Sequence, residues 1–250
     1  MKKKVFILGS LMTTMAFSQQ KTDQFNTWWN LNANHKFSEK VSAQTMYSFR
    51  RYDGVEQWQQ SLLRLGFNYH VNNKLIVTPG YDWVVTYPYG DQPAAGKNVE
   101  HRIFEQLVTK NRIGRFYLSN RYRFEQRFLE NIVADGTSVK SDGFRFRQRI
   151  RGKFGFSVPI NNSKIESKTL FLEVWDEVFV NHGSGTNNHY FDQNWAYLGF
   201  GYKLSPNTTF KLGYMNQYIN KSNNYNIENN HSIQVSASVK LNHKKKSEKK

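Results

Sequence analysis

The sequence predicts an all-β protein: an antiparallel up-and-down transmembrane β-barrel of ten to twelve strands, with short periplasmic turns and long extracellular loops. Three observations carry that expectation. Apolar and polar residues alternate with a period of two along almost the whole chain after residue 19. Short and long connections take strict turns between the alternating segments. The first residues read as an export signal.

That signal is built from three parts. Lys2, Lys3 and Lys4 give a positive start, and an apolar run over residues 5–17 follows, broken only by Gly9, Ser10, Thr13 and Thr14. Ala16 and Ser18 occupy the small-residue positions of a cleavage site, with Gln19 as the first mature residue. The expected organisation is a signal peptide over 1–18, an outer-membrane barrel over 19–241 and a basic disordered tail over 242–250. The formal charge of +16 becomes +13 once the three leader lysines are removed.

Composition narrows the class further. No later segment approaches 18 consecutive apolar residues, and the mean hydropathy is −0.71, which excludes a helical membrane protein. Cysteine is absent, so disulfides, zinc–thiolate sites and a cysteine nucleophile are excluded. Aromatic residues make up 16% of a polar chain, and the girdles of a barrel wall are one place that uses them.

Taken in order, the first strand candidate covers 29–37. The second, 41–50, sets Val41, Ala43, Thr45, Tyr47 and Phe49 against Ser42, Gln44, Met46, Ser48 and Arg50. In the third, 61–71, Leu63, Leu65, Phe67, Tyr69 and Val71 alternate with Arg64, Gly66, Asn68 and His70. The fourth, 75–87, collects Leu75, Val77, Pro79, Tyr81, Trp83, Val85 and Tyr87 on one face. The fifth, 99–110, alternates poorly and its facing stays open. The sixth covers 115–128. The seventh, 144–158, is the clearest: Phe144, Phe146, Ile150, Phe154, Phe156 and Val158 oppose a row of basic residues, which a helix would scatter around its circumference. Four more follow over 169–180, 193–204, 208–218 and 231–241. Tight turns are expected at 38–40, 72–74, 111–114 and 205–207, with a longer one over 160–168. Long polar loops are expected at 52–57, 88–98, 130–142, 181–190 and 220–229.

Eleven candidates conflict with the even strand number of bacterial single-chain barrels. Either 29–37 lies outside the wall, leaving ten, or one strand is hidden, giving twelve.

With apolar positions toward lipid, the alternate positions face the lumen. That assigns Arg121, Arg123, Glu125 and Arg127 to the interior of one strand, and Arg145, Arg147, Arg149, Arg151 and Lys153 to the next. Glu173 and Glu177 follow beside Trp175. An arginine on the lipid side would cost about 2–4 kcal/mol near the midplane, and guanidinium suits bidentate pairing with carboxylates. The leading expectation is a structural or interaction barrel with an Arg–Glu network filling its lumen. The alternative is a small channel or transporter for anionic solutes.

The chain resembles an uncharacterised family of outer-membrane barrels from Gram-negative bacteria, domain-of-unknown-function family 2490. The likeness rests on Trp28-Trp29, Leu65-Gly66-Phe67-Asn68-Tyr69, Glu100-His101-Arg102 and the run from Arg121 to Arg127. It rests also on Phe144-Arg145-Phe146-Arg147, Gly199-Phe200-Gly201-Tyr202 and Gly213-Tyr214. It spans nearly all of the mature chain and implies the barrel fold, with no established activity. The chain departs from a general barrel habit by ending on a lysine tail instead of an aromatic residue.

No enzyme is expected. His182 and His189 share a long loop ahead of Asp192, and His101 adjoins Glu100, but none has a serine in a recognisable setting or metal-ligand spacing. No cofactor, no metal and no nucleic-acid partner are expected, the basic rows pointing inward despite a pI near 9.8. The expected partners are outer-membrane lipid, the barrel-assembly machinery during biogenesis and, for the channel reading, an anionic small solute.

Overall fold

A strand with period-two patterning leaves a row of unpaired backbone groups on each edge, and the chain disposes of both edges by closing the sheet on itself. The computed structural model describes residues 20–90, 95–135, 138–183, 186, 188–221 and 226–242. The proposed leader and residues 243–250 of the tail lie outside them. The described strands are β1 (Gln20–Lys36), β2 (Val41–Tyr52), β3 (Gln57–His70), β4 (Leu75–Thr86), β5 (Asn98–Ile113) and β6 (Phe116–Asp135). They continue as β7 (Ser138–Pro159), β8 (Thr169–His182), β9 (Phe191–Lys203), β10 (Thr208–Asn220) and β11 (Asn226–Asn242). Each pairs with its chain neighbours, and β1 meets β11 to close the ring.

The wall holds eleven strands, not ten or twelve. An even number is required only if the first and last strands meet antiparallel. Here they run parallel, in register from Gln20↔Asn226 to Lys36↔Asn242, and every other pair is antiparallel. Parallel bonding is slightly weaker per residue, and the seam offsets this with length. The first strand is therefore a wall strand, beginning at Gln20 rather than at residue 29. Followed one way round the ring, the register leads from Leu31 through Tyr47, Leu63, Trp83, His101 and Phe128 to Phe146. Followed the other way it leads through Ala237, Phe210, Tyr202 and Leu170 to Ile160. That stagger of about fourteen residues tilts the strands by roughly 40° to the barrel axis.

The two faces are sharply unlike. On β3 the outward Phe67 is 64% exposed, while the inward Asn68 beside it is 6% exposed. On β5 the outward face carries Ile103 and Leu107 but also Glu105, and the inward face carries Phe104 between Arg102 and Gln106. This inverted pair is why its alternation reads poorly. Phe104 lies flat against the wall over Gly80, where a Cβ would overlap its ring, and Tyr197 lies likewise over Gly199 and Gly213. Inward glycines thus make room for inward rings.

Three connections differ from expectation, one of them over 220–229, where β11 already begins at Asn226. The span 130–142 is mostly strand: β6 and β7 run on to Asp135 and Ser138 across a register shift at Glu130/Ile132, forming a hairpin that outreaches its neighbours. The β5–β6 turn is Gly114-Arg115 alone, with Gly114 at φ +57° supplying the left-handed step.

The seam is open to a direct check, because the native chain has no cysteine. In an A33C/V239C variant the two Cα atoms are partners across β1–β11, within disulfide reach. Oxidation should give an intramolecular cross-link seen as a mobility change on a denaturing gel. A33C/L212C should give none, and a reversed outcome would rule out the parallel closure.

Candidate functional site in the barrel lumen

The central strand pair places its inward charges in an unfavourable register. Across β6–β7, Arg121 faces Lys153, Arg123 faces Arg151 and Arg127 faces Arg147; only Glu125 faces a complementary Arg149. Like charges directly opposite destabilise a sheet, so neutralisation has to come from other strands. Glu125, with no exposed surface, accepts from Arg149 Nε (2.9 Å) and Nη2 (2.7 Å) and from Arg151 Nη1 (2.8 Å). Glu177 of β8 accepts from Arg151 Nε (2.8 Å) and Arg121 Nη2 (2.6 Å). Asp82 of β4 takes both arms of Arg64 at 2.7 Å and lies 3.6 Å from Arg123. Glu100 of β5 takes Arg102 at 2.6 and 2.8 Å and also Arg127. Asp192, just before the inward part of β9, binds Arg149 Nη1 at 2.7 Å. Glu173 holds Lys211 Nζ at 2.7 Å.

Arg121, Arg123, Glu125, Arg127, Arg149, Arg151, Lys153, Glu173 and Glu177 all face inward. Arg147 is half-buried near the long-loop end and is absent from the cavity wall. Arg145 does not line the lumen. It is exposed on the outreaching hairpin, where its Nη1 donates to Asn131 Oδ1 at 2.9 Å; the alternation continues there after the lumen has ended. Sequence reasoning missed Arg64, Asp82, Arg102 and the structural use of Glu100 and Asp192. For Arg64 and Asp82 a signal existed, since each sits between apolar residues of an alternating strand.

The network occupies one side of the lumen and leaves a cavity of about 850 Å³. The other side, built by β10, β11, β1 and β2, is mostly amide and hydroxyl, with Asn30, Gln44, Gln217, Asn230, Gln234 and Ser236, and carries the cations Arg50, Lys211 and Lys240 among them. Among the described residues, thirteen Lys or Arg and three Glu line the cavity. Of the cations lying on indoles among the described residues, two approach most closely: the Arg50 guanidinium 3.5 Å from the centre of a Trp28 ring, and Lys153 Nζ 3.4 Å from that of Trp175. At the long-loop end Tyr89, in the β4–β5 connection, turns inward and donates to Glu228 Oε1 at 3.0 Å, and Lys221 pairs with the same carboxylate. Burial, with the Glu228 charge beside it, pushes the Tyr89 phenol well above its ordinary range.

The histidines form no constellation. Glu100 points into the lumen and His101 outward toward Tyr81 and Phe144, as consecutive strand residues must. His182 is exposed. His189 is not a solvated loop residue: it is 6% exposed, with Nε2 donating to the Asn220 carbonyl at 2.8 Å and Nδ1 bonded to Asn181. No group of three or more His, Asp or Glu among the described residues could hold a metal.

Glu125 is the residue whose loss the network should tolerate least. An E125Q variant leaves Arg149 and Arg151 short of charge in a buried site, and should lower unfolding stability in detergent by about 3–5 kcal/mol, or prevent folding. R147Q, off the cavity wall, should shift it by less than about 1 kcal/mol. Equal effects in denaturant titration would count against the network.

Comparison with known proteins places the chain in a family of unknown function. A family model described as "Protein of unknown function (DUF2490)" matches residues 25–229. An uncharacterized protein of Methylorubrum extorquens is 28% identical over 170 residues, which is 66% of this chain and 66% of that one. The chain thus spans about two thirds of that relative's length. Among solved structures, a NanC porin in a rhombohedral crystal form aligns at 10% identity with a TM-score of 0.49, over 86% of this chain and 98% of that one.

Proposed function

We propose that this chain, which belongs to the DUF2490 family of proteins of unknown function, is an outer-membrane barrel whose lumen admits small anionic solutes. The observation that carries the reading is the cavity. Its lining reaches from Lys110 and Lys240, near the short-turn end, to Tyr89 and Lys221 at the long-loop end, and among the described residues its thirteen cationic side chains outnumber the seven carboxylates paired with them. Confined by low-dielectric walls, such an excess concentrates anions and repels cations.

Placement in a membrane rests on the outward face. Leu31, Phe67, Leu198, Phe200 and Leu212 are each 54–64% exposed on strands from both halves of the ring, far more apolar surface than a water-facing sheet carries singly. Under that placement the Arg–Glu network stiffens one wall and leaves the rest of the lumen wet. Eleven strands lie between the packed eight-stranded barrels and the open sixteen-stranded ones, which suits a narrow path. Tyr89, bonded to Glu228, then lines its long-loop end.

Planar-bilayer recording of the purified mature protein tests this. The wild type should pass a small current selective for anions, with selectivity falling near 1 M salt, where screening acts within about 3 Å. Y89A should raise single-channel conductance by about 1.5-fold or more, because a ring lining the path at its long-loop end is removed. Absence of current from wild type and Y89A alike would leave the sealed structural barrel as the function.

A further inference from the structure

The cations on the cavity wall fall into two classes. Nine of the thirteen lie within 4.0 Å of a carboxylate: Arg64, Arg102, Arg121, Arg123, Arg127, Arg149, Arg151, Lys211 and Lys221. The other four, Arg50, Lys110, Lys153 and Lys240, enter no ion pair among the described residues. These four are not scattered. Lys110 and Lys240 stand three and two residues from the short-turn ends of β5 and β11. Lys153 is six residues above the end of β7, and Arg50 is two residues from the long-loop end of β2. With the strand rise and tilt of this barrel they climb the lumen in steps on the order of 10 Å.

The two upper cations are held without being neutralised. A ring quadrupole attracts a cation while leaving its full charge available, and Arg50 and Lys153 rest on Trp28 and Trp175 in this way. Both indoles belong to one buried cluster with Tyr197 and Met215, so the platforms are rigid. Among the described residues, the side-chain acceptors of Arg50 are the uncharged Ser48 and Gln60. Facing this level of the lumen are acceptors that lack a donor. Gln217 and Asn230 are register partners on β10 and β11, both at most 2% exposed, and neither Gln217 Oε1 nor Asn230 Oδ1 is hydrogen-bonded. A ligand that satisfies both walls brings a negative charge to the cations and hydroxyl donors to the amides.

We infer that Arg50 on Trp28 and Lys153 on Trp175 are two successive binding stations for a small hydroxylated carboxylate, with Lys110 and Lys240 drawing it in at the short-turn mouth. This rests on the reading of the lumen as an anion-accepting space and names the class of anion. The paired arginines are wall, and the unpaired cations are path.

The test uses the full mature chain folded in detergent, with tryptophan emission as the readout, since two of the indoles carry the stations. Gluconate should bind saturably, hexanoate at least about tenfold more weakly for want of hydroxyls, and glucose not at all. The R50Q/K153Q double variant, with the charge gone from both stations, should bind gluconate at least about tenfold more weakly, the loss of one charged contact per bound anion. R147Q should bind as wild type. Heat-modifiable gel migration checks folding, and should one substitution disturb it, R50Q or K153Q alone should weaken one of two binding events about tenfold and leave the other. Unchanged affinity in R50Q/K153Q, or hexanoate binding as tightly as gluconate, overturns the stations. The channel reading fails separately. Gluconate binding without any bilayer current would leave the stations standing and remove conduction, whereas anion current with gluconate block unaltered in R50Q/K153Q would do the opposite.

Discussion

A guanidinium group keeps its charge in every environment a protein offers, so the chain has to supply carboxylates wherever it buries arginines. That constraint organises this barrel. β6 and β7 bring two basic rows into adjacent register, and within that pair only Glu125 answers them. The remaining compensation comes from Asp82, Glu100, Glu177 and Asp192, each on a different strand or its approach. Carboxylates from both sides of the β6–β7 pair converge on it only if the sheet curls around the arginines. The ion network therefore depends on closure, and closure fixes which strand faces which.

The network's lopsidedness has a chemical consequence. Its buried arginines lie on β3 to β7, while the β10–β11–β1–β2 side is mostly amides and hydroxyls, with Arg50, Lys211 and Lys240 among them. The cavity lies between a densely ionic wall and a sparsely charged one, and a solute entering it meets both kinds of partner. The seam belongs to the sparsely charged side. There the parallel β1–β11 pair needs no charge match across it, and Asn30 reaches Ser236 at 3.2 Å.

The faces of the strands were legible in the sequence because period two reports directly which side of a sheet a residue occupies. The arginines of β7 could be placed inward from Phe146, Ile150 and Phe154 alone. Partners were not legible, since periodicity says nothing about which strand ends opposite: Asp82 and Arg123 are remote in sequence and meet through the ring. β5 resisted because an inward Phe104 and an outward Glu105 exchange the usual residue types. Arg145 was misplaced because the hairpin keeps its alternation beyond the lumen. The strand count was read correctly as eleven candidates, and the parity argument against it assumed an antiparallel seam. The resemblance to the DUF2490 family, drawn from short motifs such as Leu65-Gly66-Phe67-Asn68-Tyr69, is matched by the family comparison over residues 25–229.

Trp28 and Trp29 are adjacent in sequence and face opposite ways: Trp28 is 3% exposed within the lumen cluster, and Trp29 stacks on Phe49 of the outer surface. Two single-tryptophan variants, with the other five indoles replaced by phenylalanine, can be folded into bilayers whose acyl chains carry bromine. The account predicts strong quenching of Trp29 and little of Trp28. Quenching of Trp28 in preference to Trp29, or of neither, would contradict it, because hydrocarbon would then not lie against the outer face on which the placement of every charged residue depends.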